Sequence, residues 1–313
     1  MGQMKTTSFA MLTLLVIVIS GCLAEPTPVQ EKGTLTDARR GFKPKLVAGP
    51  SRAGPVAEPP AAVFRKVRYP SPAGELQAYL STVAEDGEKR PAIIWITGGD
   101  SNSIDDVWTE RSPDNDQTAS AYRKAGVVLM FPSLRGGNDN PGTKEAFLGE
   151  VDDILAAADF LGGQESVDSK RIYLGGHSTG GTLVLLVAEC TDRFRAIFAF
   201  GPVSDVTGYS EEYIPFDASN PREVALRSPG RWLSSIRSPT FVIEGTDGNI
   251  GSLQAMQRSS TNPVVHFLPV QGATHFTVLA PTNQLIARKI LEDNGPTSNL
   301  TLTEKELNEP FAR

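Results

Sequence analysis

The chain has 313 residues, of which 40% are hydrophobic and 21% are charged, a composition typical of globular proteins and sufficient for one large domain or two small ones. Its formal net charge is −6 and its pI is about 5.3. No surplus of Lys and Arg is available to neutralise phosphates, so the charge argues against nucleic acid as a partner.

The N-terminus predicts a secretory signal. Residues 9–19 are almost wholly apolar, and this run is shorter than the roughly 20 residues that a membrane-spanning helix needs. Ile19-Ser20-Gly21-Cys22 resembles the bacterial lipobox, in which the cysteine becomes the first mature residue and is acylated. We therefore expect removal of residues 1–21 and a lipid on Cys22. The lipid would anchor the domain to a membrane of the bacterial cell envelope, outside the cytoplasm. A plain secretory signal with a chance cysteine is the alternative.

Residues 22–61 are rich in proline and lack a sustained apolar period. This composition predicts an extended tether that buries no side chains. We expect one domain over residues 62–293, followed by a polar tail over residues 294–313 with a short helix from Thr303.

Between tether and tail, short apolar segments alternate with helical patterns. Strands are predicted at Val63–Tyr69, Leu76–Val83, Ala92–Ile96, Val127–Phe131, Arg171–Leu174, Ala196–Phe200, Thr240–Ile243 and Val264–Leu268, and helices at Thr118–Lys124, Phe147–Leu161, Gly180–Glu189 and Val278–Leu291. This alternation predicts an α/β fold with a mostly parallel central sheet and helices on both faces. Ligands of such sheets bind at the carboxyl ends of the strands, so the loops there are the place to look for a site.

Gly176-His177-Ser178-Thr179-Gly180 matches the pattern G-x-S-x-G. The match follows a predicted strand and precedes a predicted helix, which is the context that a nucleophile elbow requires. Ser178 is therefore the candidate nucleophile. A P-loop is excluded because Gly181 stands where that motif needs lysine, and a dinucleotide-binding fingerprint fits no register here. A tight glycine turn without chemistry is the alternative.

A base is expected after the nucleophile, with an acid between them in the chain. The sequence has three histidines. His275 follows the last predicted strand, which is the position of a base. We interpret His177, beside the nucleophile, as a packing residue, and His266 as a residue within a strand.

The acid and the oxyanion donors are assigned by their loops. Asp247 lies in the loop after the penultimate strand, where the carboxylate that orients the imidazole is expected. Glu244 and Asp205 are the alternative acids. The backbone N–H groups of Thr179 and of Gly99, in the loop after Ala92–Ile96, are the candidate oxyanion donors.

Several segments in order resemble the α/β-hydrolase superfamily and, within it, the catalytic domain of the prolyl oligopeptidase family. They are IIWITGG, FPSLRGG, FLGEVDDILAAADFL, RIYLGGHSTGGT, AFGPVSD, SPTFVIEGTDGN and QGATHF, and the resemblance runs from about Leu76 to Leu291. It implies Ser178 as nucleophile, Asp247 as acid and His275 as base, with Gly99 and Thr179 as oxyanion donors. Two departures are that Thr97 replaces the family's usual histidine and that the acid loop is one residue shorter.

The sequence thus predicts a serine hydrolase that cleaves an ester or a short peptide through an acyl-enzyme intermediate, without a cofactor. Residues 207–232 are expected to pass over the site. Metal-dependent hydrolysis is not favoured, because the chain has no H-E-x-x-H motif or close histidine pair. The alternatives are an inactive hydrolase fold that binds a ligand or partner, and a serine peptidase like the prolyl oligopeptidases.

Overall fold

The computed structural model describes residues 25–47 and 54–312. Cys22 and the predicted signal lie outside the described residues. The described chain forms an eight-stranded sheet in the order β1-β2-β4-β3-β5-β6-β7-β8. The strands are β1 (Phe64–Ser71), β2 (Gly74–Ser81), β3 (Arg90–Ile96), β4 (Val128–Pro132), β5 (Val167–His177), β6 (Ile197–Phe200), β7 (Thr240–Gly245) and β8 (Val265–Val270).

The pairing of the strands is mostly parallel. Strands β1 and β2 pair antiparallel, as do β2 and β4, whereas every pair from β4 through β3 to β8 is parallel. The carboxyl ends of β3 to β8 therefore lie at one edge of the sheet. The predicted fold class is confirmed.

Helices cover both faces of this sheet. They are α1 (Leu35–Arg39), α2 (Ser120–Lys124), α3 (Glu150–Gly162), α4 (Thr179–Ala188), α5 (Pro221–Ala225), α6 (Ile250–Ser259), α7 (Leu279–Glu292) and α8 (Glu304–Asn308). Apolar residues of α3, α4 and α6 belong to one buried cluster, and those of α2, α7 and α8 to a second cluster. The second cluster includes Trp95, Tyr173 and Phe198, whose side chains alternate along their strands with residues of the first.

Several element boundaries differ from the sequence prediction, and two of the differences have a clear local reason. Strand β5 runs on through Gly176 to His177, because β3 and β6 pair with it on both sides. Helix α3 begins at Glu150 rather than at Phe147, because Ala146 and Phe147 have φ angles of 49° and 72°, and a right-handed helix excludes such values.

Residues 25–47 do not form a tether without buried side chains, so that expectation is wrong for this stretch. Leu35, in α1, is fully buried in the cluster that contains α3 and α4. The side chain of Thr34 caps α1 by accepting a hydrogen bond from the Asp37 N–H. Arg39 donates to the carbonyl of Leu148 at 2.8 Å, which ties α1 to the loop before α3.

The C-terminal residues also pack on the domain. The predicted short helix is present as α8, and a capping box between Thr303 and Glu306 begins it. Leu300, Leu302 and Leu307 are buried against the second apolar cluster. Residues 294–313 are mostly polar, but they therefore make an apolar contact with the sheet domain. Within residues 25–47 and 54–312, no helix has the length and apolar character that crossing a membrane requires.

Candidate active site

Ser178 occupies a sharp turn between β5 and α4. Its φ and ψ angles are 57° and −115°, a conformation that costs an L-residue on the order of 1–3 kcal/mol. The Ser178 N–H donates to the carbonyl of Phe200 at 2.8 Å, which fixes the turn to the end of β6. The residue is partly exposed, whereas His177 and Thr179 on either side are buried. This is the geometry of a nucleophile elbow.

The loop after β3 lies against the elbow. The hydroxyl of Thr179 donates to the carbonyl of Gly99 at 2.9 Å. A Cβ at position 98 would lie 2.9 Å from His177 Nδ1 and 3.2 Å from Ser178 Cβ, so only glycine permits this approach. The two predicted oxyanion residues, Gly99 and Thr179, are thus neighbours beside Ser178. The Thr179 amide belongs to the first turn of α4, where a helix leaves N–H groups without an intrahelical acceptor.

His275 is paired with a buried carboxylate. Its Nδ1 lies 2.8 Å from Glu244 Oε2, and Glu244 is fully buried whereas the His275 side chain is 22% exposed. The other carboxylate oxygen, Oε1, accepts from the Gly245 N–H at 2.7 Å. Gly201, with a φ of 56°, borders this pair, and a Cβ there would lie 2.4 Å from His275 Cε1. The pair leaves Nε2 as the ring nitrogen of His275 that can exchange a proton.

The preferred acid of the sequence analysis, Asp247, is not the partner of His275. Strand β7 extends to Gly245, and the chain turns tightly after it, with the Asp247 N–H donating to the Ala273 carbonyl at 3.0 Å. The Asp247 residue is exposed. The short loop therefore turns Asp247 toward solvent, and the glutamate inside the strand, an alternative in the sequence analysis, takes the position beside the histidine.

Asp205, the other alternative acid, has a local role. Its carboxylate accepts from the N–H and the hydroxyl of Thr207, at 3.0 and 2.7 Å. It also pairs with Arg231 at 3.2 Å. These bonds hold the turn at residues 206–208, as expected of an aspartate at a helical N-cap.

The side chain of His177 contacts the loop after β8 that carries His275, here called the base loop. It is 1% exposed, and its Nε2 lies 2.9 Å from the backbone carbonyl of His275. Its Nδ1 lies 2.9 Å from Gln117 Nε2. The sequence predicts a packing role for His177 and does not single out Gln117, since no motif marks the loop that carries it.

The segment expected to cover the site, residues 207–232, is well packed. Tyr209 packs against Phe147, with ring centroids 5.6 Å apart, and shares a 2.7 Å hydrogen bond with Thr182 in α4. Phe216 and Trp232 are almost fully buried. These two aromatic side chains are thus part of the core and are not available to a ligand.

Residues 25–47 contact this segment. The Val47 N–H donates to the Pro215 carbonyl at 2.7 Å. The Lys45 N–H donates to the Glu223 carboxylate at 2.8 Å. At the other end, the carboxylate of Glu25 accepts from the hydroxyls of Ser204 and Ser252, at 3.0 and 2.9 Å. Residues 25–47 therefore join residues 207–232 to the loop after β6 and to helix α6.

No cluster of three or more His, Cys, Asp or Glu residues suited to a metal ion occurs in the part of the chain that the structure describes. The thiol of Cys190 is partly buried, and burial raises its pKa to about 11. A thiol with so high a pKa is almost entirely protonated at neutral pH, so it is a poor nucleophile.

Comparison with known proteins gives a family match for the centre of the chain. A sequence model described as the prolyl oligopeptidase family matches residues 113–246, a range that contains Ser178 and Glu244 and ends before His275. A protein of Bacillus subtilis named "Uncharacterized peptidase YtmA" is 26% identical over 219 residues, which is 61% of this chain and 81% of that protein. Prolyl oligopeptidase A of Amanita bisporigera is 32% identical over 111 residues, 34% of this chain, and this chain spans only 13% of its length.

Solved structures share the fold at low sequence identity. The acylaminoacyl peptidase of Pyrococcus horikoshii is 17% identical, with a TM-score of 0.60, over 78% of this chain and 44% of its own. A puromycin-hydrolyzing peptidase of Mycobacterium tuberculosis is 20% identical, with a TM-score of 0.57, over 75% of this chain and 40% of its own. An esterase of Pyrobaculum calidifontis is 18% identical, with a TM-score of 0.52, over 73% of this chain and 85% of its own. The chain therefore shares the α/β-hydrolase fold of these peptidases and esterases, and the model of the prolyl oligopeptidase family matches its residues 113–246.

Proposed function

We propose that this chain is a serine hydrolase with Ser178 as nucleophile, His275 as general base and Glu244 as the acid that orients the base. The observation that carries the proposal is the 2.8 Å contact between His275 Nδ1 and the buried Glu244 carboxylate, in a fold that holds Ser178 on a strained elbow. Such a carboxylate holds the imidazole in one tautomer and stabilises the imidazolium that forms in each step.

The reaction would proceed in two halves. His275 Nε2 would accept the hydroxyl proton as Ser178 Oγ attacks the acyl carbon, and it would then pass that proton to the leaving group. Water would attack the acyl-enzyme by the same route, with the proton moving through Nε2 again. The backbone N–H groups of Gly99 and Thr179 would donate to the oxyanion of each tetrahedral intermediate.

An ester or a short peptide is the proposed substrate. The support is the mixture of names among the structural relatives, which include an acylaminoacyl peptidase and an esterase. A peptidase like the prolyl oligopeptidases is the alternative within this class. The inactive-fold alternative was favoured by the short acid loop, and the Glu244–His275 contact removes that argument.

A fluorophosphonate probe tests the assignment of the nucleophile. We expect stoichiometric labelling of the wild-type protein, with the label on the peptide that contains Ser178. Ser178→Ala should abolish the label, and His275→Ala should slow it by about 10⁴-fold with an unchanged circular dichroism spectrum. A folded wild-type protein that resists the probe would contradict the proposal and support the inactive alternative.

We also propose that Cys22 carries the lipid that the lipobox pattern predicts, which would anchor the domain to a membrane outside the cytoplasm. The support is the sequence pattern Ile19-Ser20-Gly21-Cys22 alone.

A further inference from the structure

His177 is the last residue of β5 and directly precedes Ser178, and the proposed chemistry gives it no task. Its ring is almost fully buried and packs beside the ring of His275, with centroids 4.5 Å apart at an interplanar angle of 41°. The ring also borders Phe276, at 5.6 Å between centroids. His177 therefore contacts both the ring and the backbone of His275, the proposed base.

The contact with the His275 backbone fixes the tautomer of His177. A carbonyl oxygen can only accept, so the Nε2 atom 2.9 Å from it carries the proton. Burial, and less strongly the charge on His275, lower the pKa of His177 well below its ordinary value. The ring is therefore neutral at pH 7, and its Nδ1 is a lone-pair acceptor.

Gln117 satisfies that acceptor. Its side-chain nitrogen lies 2.9 Å from His177 Nδ1 and 2.9 Å from Asn115 Oδ1, so its two N–H groups can serve both atoms. Its side-chain oxygen lies farther from Nδ1, at 3.2 Å, and is 3.5 Å from the Gly98 N–H, in the loop of the proposed oxyanion hole. The ring of His177 is thus held at both nitrogens, and the residue that holds Nδ1 also borders the oxyanion loop.

Two bonds then set the place of His275. Glu244 holds the ring at Nδ1, and His177 holds the backbone at the carbonyl. We propose that His177 is a positioning residue, which uses its Nε2–H to fix the base loop to the nucleophile elbow, with Gln117 as its support. This inference rests on the proposed function of His275. Removal of the His177 Nε2–H donor should therefore lower kcat and leave substrate binding unchanged. The reason is that a displacement of about 1 Å in a reacting group can lower the rate on the order of 10²-fold.

A pair of conservative variants tests this role. His177→Gln places an amide N–H near the position of Nε2, whereas the shorter side chain in His177→Asn reaches only the position of Nδ1. With a short-chain acyl ester as substrate, we expect His177→Asn to lower kcat by about 10- to 100-fold, with KM within about twofold. His177→Gln should retain kcat within about threefold of the wild type. Equal kcat values in the two variants, or a wild-type value in His177→Asn, would overturn the inference.

Labelling by the fluorophosphonate separates this inference from the proposed function. If the wild-type protein is not labelled, the proposed function itself fails. If the wild-type protein is labelled and His177→Asn is labelled at the same rate, only the role of His177 fails. We expect the labelling rate of His177→Asn to fall in parallel with its kcat.

A third variant keeps the test valid should His177→Asn not fold. Gln117 is only partly buried, so Gln117→Ala should fold, as circular dichroism would show. It removes the donor to His177 Nδ1, and we expect kcat to fall by about two- to tenfold with KM unchanged. A folded His177 variant without the Nε2–H donor, such as His177→Leu, extends this test. Full activity in both this variant and Gln117→Ala would exclude the positioning role of His177.

Discussion

At the scale of single residues, the carboxylate of Glu244 is the feature on which the proposed base depends. It is fully buried, and its oxygens bond to the His275 ring and to the Gly245 N–H. We expect Glu244→Gln to lower kcat by about 10³- to 10⁴-fold, because the amide can present its N–H to Nδ1 and favour the wrong tautomer. Ester hydrolysis under saturating substrate measures this loss.

Asp247→Asn is the matched control for that change. Asp247 is exposed and lies three positions after Glu244, in the turn that follows β7, so its neutralisation should leave kcat within about twofold of the wild type. The reverse result, a large loss in Asp247→Asn and a small loss in Glu244→Gln, would restore the acid that the sequence analysis preferred.

The sequence could predict the nucleophile and the base because both lie in motifs with a fixed order. Ser178 follows from the glycine pattern after a strand, and His275 from its place after the last strand. The acid could not be assigned in this way, because its identity depends on where β7 ends. The sequence places Asp247 in the loop after the strand, and only the folded turn reveals that Asp247 is exposed. The contact of His177 with His275 spans 98 positions, and no local pattern encodes it.

At the scale of elements, helix α1 joins the N-terminal segment to the core through Leu35, which is fully buried. We expect Leu35→Ala to lower the free energy of unfolding by about 2–5 kcal/mol, from the lost burial and the cavity left behind. Urea denaturation measures this change. Val29→Ala is the control, because Val29 is 78% exposed, and a surface change of this kind costs within about 0.5 kcal/mol. Equal stability of the two variants would show that the segment is not docked in solution.

The carboxylate of Asp293 holds the C-terminal segment, and its contribution to the stability of the fold depends on pH. Burial alone would raise the pKa of Asp293, but hydrogen bonds from Arg195, the Asn299 N–H, Tyr173 and Ser298 outweigh it and lower the pKa to about 2. The ordinary value is 3.8, so the unfolded chain takes up the proton first as the pH falls. Asp293 therefore stabilises the fold above about pH 4, by about 2 kcal/mol, and this contribution is lost between about pH 4 and pH 2.

We accordingly expect Asp293→Asn to lose about 2 kcal/mol of stability at pH 7 and to show a flatter loss of stability from pH 4 to pH 2 than the wild type. Urea denaturation at a series of pH values checks both effects. Asp192→Asn is the control, because Asp192 forms an exposed pair with Arg237, worth about 0–1 kcal/mol. Parallel curves for Asp293→Asn and the wild type would contradict the assignment.

Most elements could be predicted because hydrophobic periodicity reports burial directly. The start of α3 could not, since Ala146 and Phe147 have φ angles of 49° and 72°, and neither residue type signals a left-handed backbone in the sequence. The N-terminal segment failed for a related reason. Its single helix of five residues is too short to give a period, so the burial of Leu35 leaves no pattern in the sequence.

At the scale of the whole molecule, a residue close in sequence to the predicted anchor is docked on the domain. The carboxylate of Glu25 accepts from the hydroxyls of Ser204, in the loop after β6, and Ser252, in α6, and Glu25 comes three positions after Cys22 in the sequence. A lipid on Cys22 would therefore leave only two residues between the anchor and a docked part of the domain.

We expect the wild-type protein to sediment with bacterial membranes and to require detergent for release, whereas Cys22→Ser should be soluble or retain its signal. Cys190→Ser is the control and should sediment like the wild type. A wild-type protein found in the soluble fraction, cleaved at a bond other than the one before Cys22, would contradict the anchor.

The relative rates of ester and amide hydrolysis depend on the leaving group and on the contacts that the site makes with it. An ester leaves more easily than an amide, so a site with modest contacts to the leaving group still hydrolyses it. Residues 207–232, which we expect to pass over the site, are held by residues 25–47 through the Val47 and Lys45 N–H groups. We expect kcat/KM for short-chain acyl esters to exceed that for prolyl or other aminoacyl amides by at least about tenfold, or about 1.4 kcal/mol in transition-state binding. Ester and amide pairs with the same acyl group measure the difference, with Ser178→Ala as the blank. A higher kcat/KM for a proline-containing amide would instead identify the chain as a peptidase, since only specific contacts with the peptide could overcome the poorer leaving group.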